Sequence, residues 1–324
     1  GTAPQFLTFN SASCTSRSFT YIGQPFGYVS GKLPTALITA RNASGGATTN
    51  YQDNTKSWRI AAATDVAQTY GAVSPVVSLG TPTVTPNNNN TGTGTVSPNS
   101  SDTVGYTRGA LPAAPFNAGS TLTLTMSVAD TSETSGTISS STSALFNGGG
   151  TGIAFDSGNE FRYGRLQFLN AHGSGLLALD VPIQIEYWNG TLWARNTADN
   201  CTSVSPSNFA LGNAAAPPPP PVLPAPSTSV SGVSTVSGGA GKITLAKPTG
   251  GTSGTVDLTI NLGATGTANA TPCPPWAPAP GATALNAPYL QGQCGGAGAY
   301  NRDPSARATF GIYSNKFIFL RENY

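Results

Sequence analysis

The sequence predicts an all-β protein: two antiparallel, Ig-like β-sandwich domains carrying long Gly/Pro/Asn-rich loops. Three observations predict it. The 324 residues include 39 Gly and 26 Pro, spaced so that hardly any stretch holds a helix of about three turns, because glycine loosens a helix and proline breaks it. About a dozen short runs alternate apolar and polar residues with the period of a half-buried strand. Charged residues make up 9% of the chain, where a typical soluble domain has about 25%, and Ser, Thr, Ala and Asn stand in their place.

Taken in order, residues 36–40 (ALITA) and 58–61 (WRIA) are the first and weakest strand candidates. Residues 81–101, rich in Thr, Asn, Gly and Pro, read as a long exposed hairpin tip. In 121–128 (TLTLTMSV), Leu122, Leu124, Met126 and Val128 fall on one face and Thr or Ser on the other, the clearest alternation in the chain. Residues 165–169 and 181–187 follow, and the latter run leads through Trp188 and Asn189-Gly190 into Thr191-Leu192-Trp193. Asn-Gly between two such runs signals a hairpin with both turn residues at positive φ. Residues 214–229 hold five consecutive prolines, Pro217 to Pro221, which impose a polyproline rod without internal hydrogen bonds and read as a stiff surface linker. Residues 242–246, 256–262, 308–313 and 316–321 complete the strands. At about 100–200 residues per domain, the chain divides into 1–135 and 136–324, the second domain containing the proline-rich insert.

Composition also excludes partners. The formal net charge is +2 and only five lysines are present, too few and too scattered for the cation row that displaces counterions from nucleic acid. No run of 18 apolar residues exists, so no membrane insertion is expected. The first nine residues lack a charged segment followed by an apolar core, so either a leader has been removed or the chain is an excised region of a longer one. Four cysteines, one methionine (Met126) and little Lys or Glu suggest an oxidising, extracellular setting. Cys273 and Cys294 bracket a Pro/Ala/Gly loop with little means of ordering itself, and closing a loop of about 20 residues removes roughly 3 kcal/mol of unfolded-state entropy. That pairing leaves Cys14 with Cys201, one of three possible connectivities. The absence of any C-x2-C spacing argues against zinc.

No catalytic constellation emerges, and the chain is expected to be neither an enzyme nor a carrier of a cofactor or metal. The single histidine, His172, sits in NAHGSG without a G-x-S-x-G elbow elsewhere, so a serine triad is not supported. Gly238-Gly239-Ala240-Gly241-Lys242 lacks the Ser or Thr and the first glycine of a phosphate loop. Asp156 and Glu160 have the look of a carboxylate pair but lie in a Gly/Ser loop. Recognition is the better prospect. Tyr187, Trp188 and Trp193 flank the Asn-Gly turn, with Tyr187 and Trp188 on opposite faces. Each either stacks on a ligand such as a sugar ring or fills the core, and Trp276, inside the Cys273–Cys294 loop, is the candidate most expected to be exposed. Sequons at Asn42, Asn89, Asn99, Asn189, Asn200 and Asn269 are what chance supplies in a chain so rich in Asn, Ser and Thr.

Several stretches together resemble MshQ-like proteins: Asp303-Pro304-Ser305-Ala306-Arg307-Ala308-Thr309-Phe310-Gly311 with Phe317 to Glu322, Gly164 to Ser174, VPIQIEYWNG with DNCT, and Phe19 to Phe26 with TARNASG and TTNY. The anchors run from about Cys14 to Tyr324. The resemblance implies a link to MSHA-type type IV pili and brings no biochemical activity. Around Cys294 this chain departs from the acidic, Trp-containing stretch of relatives, which leaves cation binding there unsupported. The expectation is a secreted, non-enzymatic protein of the pilus or cell surface that acts in adhesion or pilus assembly. Its expected partners are surface or pilus proteins, copies of itself, or glycans. Two alternatives remain: a subunit that self-assembles into an extracellular filament or sheath, and a carbohydrate-binding module.

Overall fold

Alternating residues commit most of the chain to strands, and the turns supplied by Gly, Pro and Asn fold those strands back on one another. The computed structural model describes residues 3–9, 18–51, 59–73, 76–87, 91–118, 122–132, 138–139, 143–158, 160–212, 227–263, 283–293 and 298–311. It divides into two units. The first comprises Gly1–Asn10, Arg17–Arg108 and Pro115–Arg162; the second comprises Ser11–Ser16, Gly109–Ala114 and Tyr163–Tyr324. The division after Arg162, rather than near residue 135, has a plain cause in strand pairing. Ala144–Phe146 pairs with Thr123–Asp130, Ala154–Phe155 with Gln5–Phe6, and Glu160–Arg162 with Phe19–Tyr21.

The all-β class holds in both units. In the first, Thr123–Asp130 is the longest strand, flanked by Val66–Gly71 and Ala144–Phe146. Leu122, Leu124 and Met126 are buried as the alternation requires. The expected hairpin is present: Thr83–Pro86 pairs with Thr93–Ser97, which pairs in turn with Ala36–Thr39. The expected strand at 58–61 is not. Arg59 to Ala61 are irregular and run into the single-turn helix Ala62–Asp65. There the Asp65 carboxylate accepts Ala61 N at 2.7 Å and Thr131 Oγ1 at 2.5 Å, which closes the turn. Most other strands of this unit are two to four residues long, too short to bury a face by themselves. Aromatic rings fill the gap. Phe161, with no exposure, contacts Phe26, Tyr106, Phe116 and Phe155 at centroid distances of 4.6–5.7 Å.

The second unit is more regular. One sheet runs in the order Gly164–Phe168, Leu179–Trp188, Ala240–Leu245, Val230–Val233, with Trp193–Arg195 also paired to Leu179–Trp188. The other runs Ala171–Gly173, Ser305–Phe310, Gly254–Ile260, Phe209–Gly212. Leu166, Val181, Ile183, Ile185, Ile243 and Leu245 are buried in the first sheet, and Leu258, Ile260, Ala308 and Phe310 in the second. Phe168 and Phe209, one from each sheet, lie 5.9 Å apart between centroids. Not every ladder is antiparallel: Ala171–Gly173 lies parallel to Ser305–Phe310. Gly254–Ile260 is buried along its whole length, so Asp257 is covered too, and Arg307 answers it through two hydrogen bonds of 2.8 and 3.1 Å. The strand expected at 316–321 and the proline run at 217–221 lie outside the described residues.

Candidate functional site

Two of the residues expected to bind a ligand, Trp188 and Trp193, meet on one face of the five-stranded sheet, and Tyr187 lies on the other. In Leu179–Trp188 the residues Leu179, Val181, Ile183 and Ile185 are buried, and strand alternation sends Asp180, Pro182, Gln184, Glu186 and Trp188 to the opposite, outer side. Tyr187 therefore shares the side of Ile185, as its parity predicts. Cross-strand register completes the outer face: Trp188 stands opposite Trp193, and Glu186 opposite both Arg165 and Arg195.

Charges on this face are mostly answered by neighbours. Arg165 forms an ion pair with Glu186 at 2.7 Å, and its guanidinium carbon lies 4.1 Å from the centroid of the Trp193 ring, a cation–π distance. Lys242 Nζ donates to Asp180 Oδ2 and Thr244 Oγ1 to Asp180 Oδ1, both at 2.6 Å. The bonds from Lys242 and Thr244 hold the Asp180 carboxyl below the usual carboxylate range.

The aromatic group is half surface and half core. Trp188 and Trp193 are both half-buried, their centroids 5.8 Å apart in an edge-on arrangement. Trp193 also meets Tyr300 at 5.4 Å and Tyr163 at 6.2 Å. Tyr163 is wholly buried, and its hydroxyl donates to the Gly109 carbonyl at 2.8 Å. The tryptophans thus pack on inner rings while part of their own surface stays exposed. Sequence reasoning missed Tyr163, Tyr300, Arg165 and Glu186. The alternation of 163–168 against 181–188 places Tyr163, Arg165 and Glu186 near a face, but only the register sets 165 against 186, and nothing local points to Tyr300.

The hairpin forms with a different turn from the one its Asn-Gly suggests. Asn189 N donates to Leu192 O at 3.1 Å, which leaves Gly190 and Thr191 as the central residues. Gly190 alone has a positive φ, 104°. Asn189 precedes the turn, and its Oδ1 accepts the N–H groups of Thr191 at 2.9 Å and Leu192 at 3.0 Å. After Trp193–Arg195 the chain is pinned by Asp199, which is fully buried and accepts from Cys201 N, Thr202 N and Thr202 Oγ1 at 2.6–2.9 Å. Gly239 packs so closely that a Cβ there would sit 2.4 Å from Asn196 O, and its φ is 70°; only glycine fits. Cys201 is buried. Cys14, Cys273, Cys294 and Trp276 lie outside the described residues.

The remaining candidates serve the fold. His172 Nε2 lies 2.7 Å from Gly311 O within the Ala171–Gly173 ladder. Asp156 Oδ1 accepts Thr8 N and Oγ1, and Glu160 pairs with Arg162 at 3.0 Å. Gly241 and Lys242 belong to the strand Ala240–Leu245, and Gly238 and Gly239 to the turn before it. Among the described residues no group of three or more His, Cys, Asp or Glu could hold a metal ion. No described helix is long and apolar enough to cross a membrane.

Residues 162–323 match the family model DUF6701, fourth domain, and residues 4–151 match DUF6701, third domain. No curated protein matches the chain. Two solved structures show a remote likeness. One is the Escherichia coli adhesin FdeC, with a TM-score of 0.25 and 13% identity over 74% of this chain. The other is the Yersinia pseudotuberculosis adhesin InvE, with a TM-score of 0.24 and 12% identity over 89% of this chain. The chain spans 55% of the length of each, and likenesses at such scores carry no argument about this molecule.

Proposed function

The chain belongs to the DUF6701 family, of which it carries the third and fourth domains, and we propose that it is a non-enzymatic module of the bacterial cell surface or pilus that acts in adhesion. The observation that carries this reading is the outer sheet face of the second unit. Two half-buried tryptophans are held there on fixed neighbours, beside paired charges. Rigid aromatic anchors with little entropy left to lose suit recognition without chemistry. The even count of four cysteines supports an extracytoplasmic setting, and the low charge supports close packing against another surface. The resemblance to MshQ-like proteins supports a role with MSHA-type pili, and the pairings Cys14–Cys201 and Cys273–Cys294 are part of the same proposal. Partners are surface or pilus proteins, and glycans stacking on Trp188 or Trp276 are the alternative ligand.

Labelled antibody on intact, unpermeabilised cells is expected to decorate the outside, and staining confined to the cytoplasm would overturn the reading. Trp188→Ala is expected to reduce adhesion of the purified chain to cells of its host at least several-fold. A second reading, self-assembly into a filament, is favoured by the edge strand Ala36–Thr39, on which Leu37 is 71% exposed with no lysine on the strand to guard it.

A further inference from the structure

We propose that Asn189 is a self-modifying site, at which the hairpin tip converts its own asparagine through a succinimide to aspartate and isoaspartate. Two Asn-Gly pairs occur in the chain, Asn147-Gly148 and Asn189-Gly190, and the fold treats them differently. At Asn189 the side-chain carbonyl oxygen accepts two backbone N–H groups, Thr191 at 2.9 Å and Leu192 at 3.0 Å. At Asn147 it accepts one, Gly149 at 3.2 Å. Asn189 and Gly190 are exposed, whereas Asn147 is half-buried.

The chemistry needs three things, and the tip supplies each. The nucleophile is the Gly190 backbone nitrogen, whose N–H donates no hydrogen bond among the described residues and stands open to water, which takes its proton. The electrophile is Asn189 Cγ, polarised by the two donors on Oδ1. As nitrogen adds to Cγ, the oxygen gains negative charge, and the Thr191 and Leu192 N–H groups stabilise it as an oxyanion hole does. The Cγ–Nδ2 bond then breaks, and Nδ2 leaves as ammonia with a proton from water. One water molecule opens the succinimide at either carbonyl, so no oxidant or cofactor is required. Glycine at 190 places no Cβ against the ring as it closes. The isoaspartate product carries one more backbone carbon and a new negative charge between Trp188 and Trp193, where it breaks the Asn189–Leu192 closure.

The test incubates the whole folded chain at neutral to mildly alkaline pH and follows both sites by peptide mass spectrometry. The readouts are loss of ammonia, then the exchange of an amide for an acid. Asn189 is expected to convert about tenfold faster than Asn147, since each tenfold corresponds to about 1.4 kcal/mol of transition-state stabilisation. In denaturant, where both are plain Asn-Gly pairs, the rates should converge. Thr191→Pro, which deletes one donor, should bring Asn189 down towards the Asn147 rate, with near-ultraviolet circular dichroism reporting that the tryptophan cluster survives. Equal native rates at the two sites, or the same ratio with and without denaturant, would sink the proposal whatever the variant does.

Discussion

The two units solve the same problem, covering apolar faces with strands, by different means. In the second unit, the ten-residue strand Leu179–Trp188 and the seven-residue strand Gly254–Ile260 carry aliphatic side chains at alternate positions, so long ladders make two sheets whose inner faces fill each other. In the first unit, strands such as Gln5–Phe6 and Phe19–Tyr21 have two or three residues. They present too little face for a ladder to organise, and rings bridge the gaps: Phe6 lies 4.8–5.6 Å from Tyr28, Phe26 and Phe155. A long alternating strand specifies its own face, whereas a short one depends on what its aromatic side chains reach.

The sharpest way to break this comparison is to remove the ring at the centre of the first unit. Phe161→Ala should cost about 3–5 kcal/mol and raise hydrogen exchange in Thr123–Asp130. Ile183→Val, a similar burial inside a ladder, should cost only about 0.5–1.5 kcal/mol. Equal effects on exchange would show that rings are not what hold the first unit together.

A somewhat smaller effect separates the units by pH. Asp303 is fully buried, with one oxygen accepting Leu262 N and Gln291 Nε2 at 3.2 Å and the other, Oδ2, without a partner among the described residues. Burial pushes its carboxyl up from 3.8 to about 6. The folded state therefore holds the proton more tightly than the unfolded chain does. The resulting stabilisation, roughly 3 kcal/mol, is fully present below pH 3.8 and is lost as the pH rises through 6. Asp65 in the first unit has the opposite sign. Burial raises its pKa, but bonds from Thr131, Ala61 N and Thr64 outweigh that and hold it low, so its contribution is lost only in stronger acid. Denaturation midpoints between pH 4 and 7 should fall with rising pH in the wild type, and Asp303→Asn should flatten that slope. An unchanged slope would reassign the proton to another group.

The smallest effect concerns surfaces. Leu37→Lys on the edge strand Ala36–Thr39 should leave stability within about 0.5 kcal/mol while lowering any self-association seen by sedimentation at high concentration. If association is unchanged, that edge is not where copies meet.

Much of the second unit is legible in its residues alone. Runs at 165–169, 181–187, 242–246 and 256–262 lie within a few residues of the observed strands, because each alternates long enough to identify its face. The hairpin at 83–97 is legible from its turn residues. The stretch 58–61 is not, since a carboxylate four residues beyond it, Asp65, caps a helical turn in competition with the extended form. For the candidate site, parity correctly puts Tyr187 and Trp188 on opposite sides. It cannot show that Trp193 rests on Tyr300, more than a hundred residues away in sequence.

The sequence by itself determined the class of this protein. Glycine and proline deny it helices, and alternation makes strands the remaining way to satisfy the backbone while burying apolar side chains. Low charge then leaves those strands able to lie close to other surfaces. Only the tertiary structure decided where the first unit ends, which rings anchor the tryptophans, and which carboxylates sit in the dry interior. Those outcomes depend on register between distant strands, and register is set by the summed packing of whole faces rather than by any local run of residues.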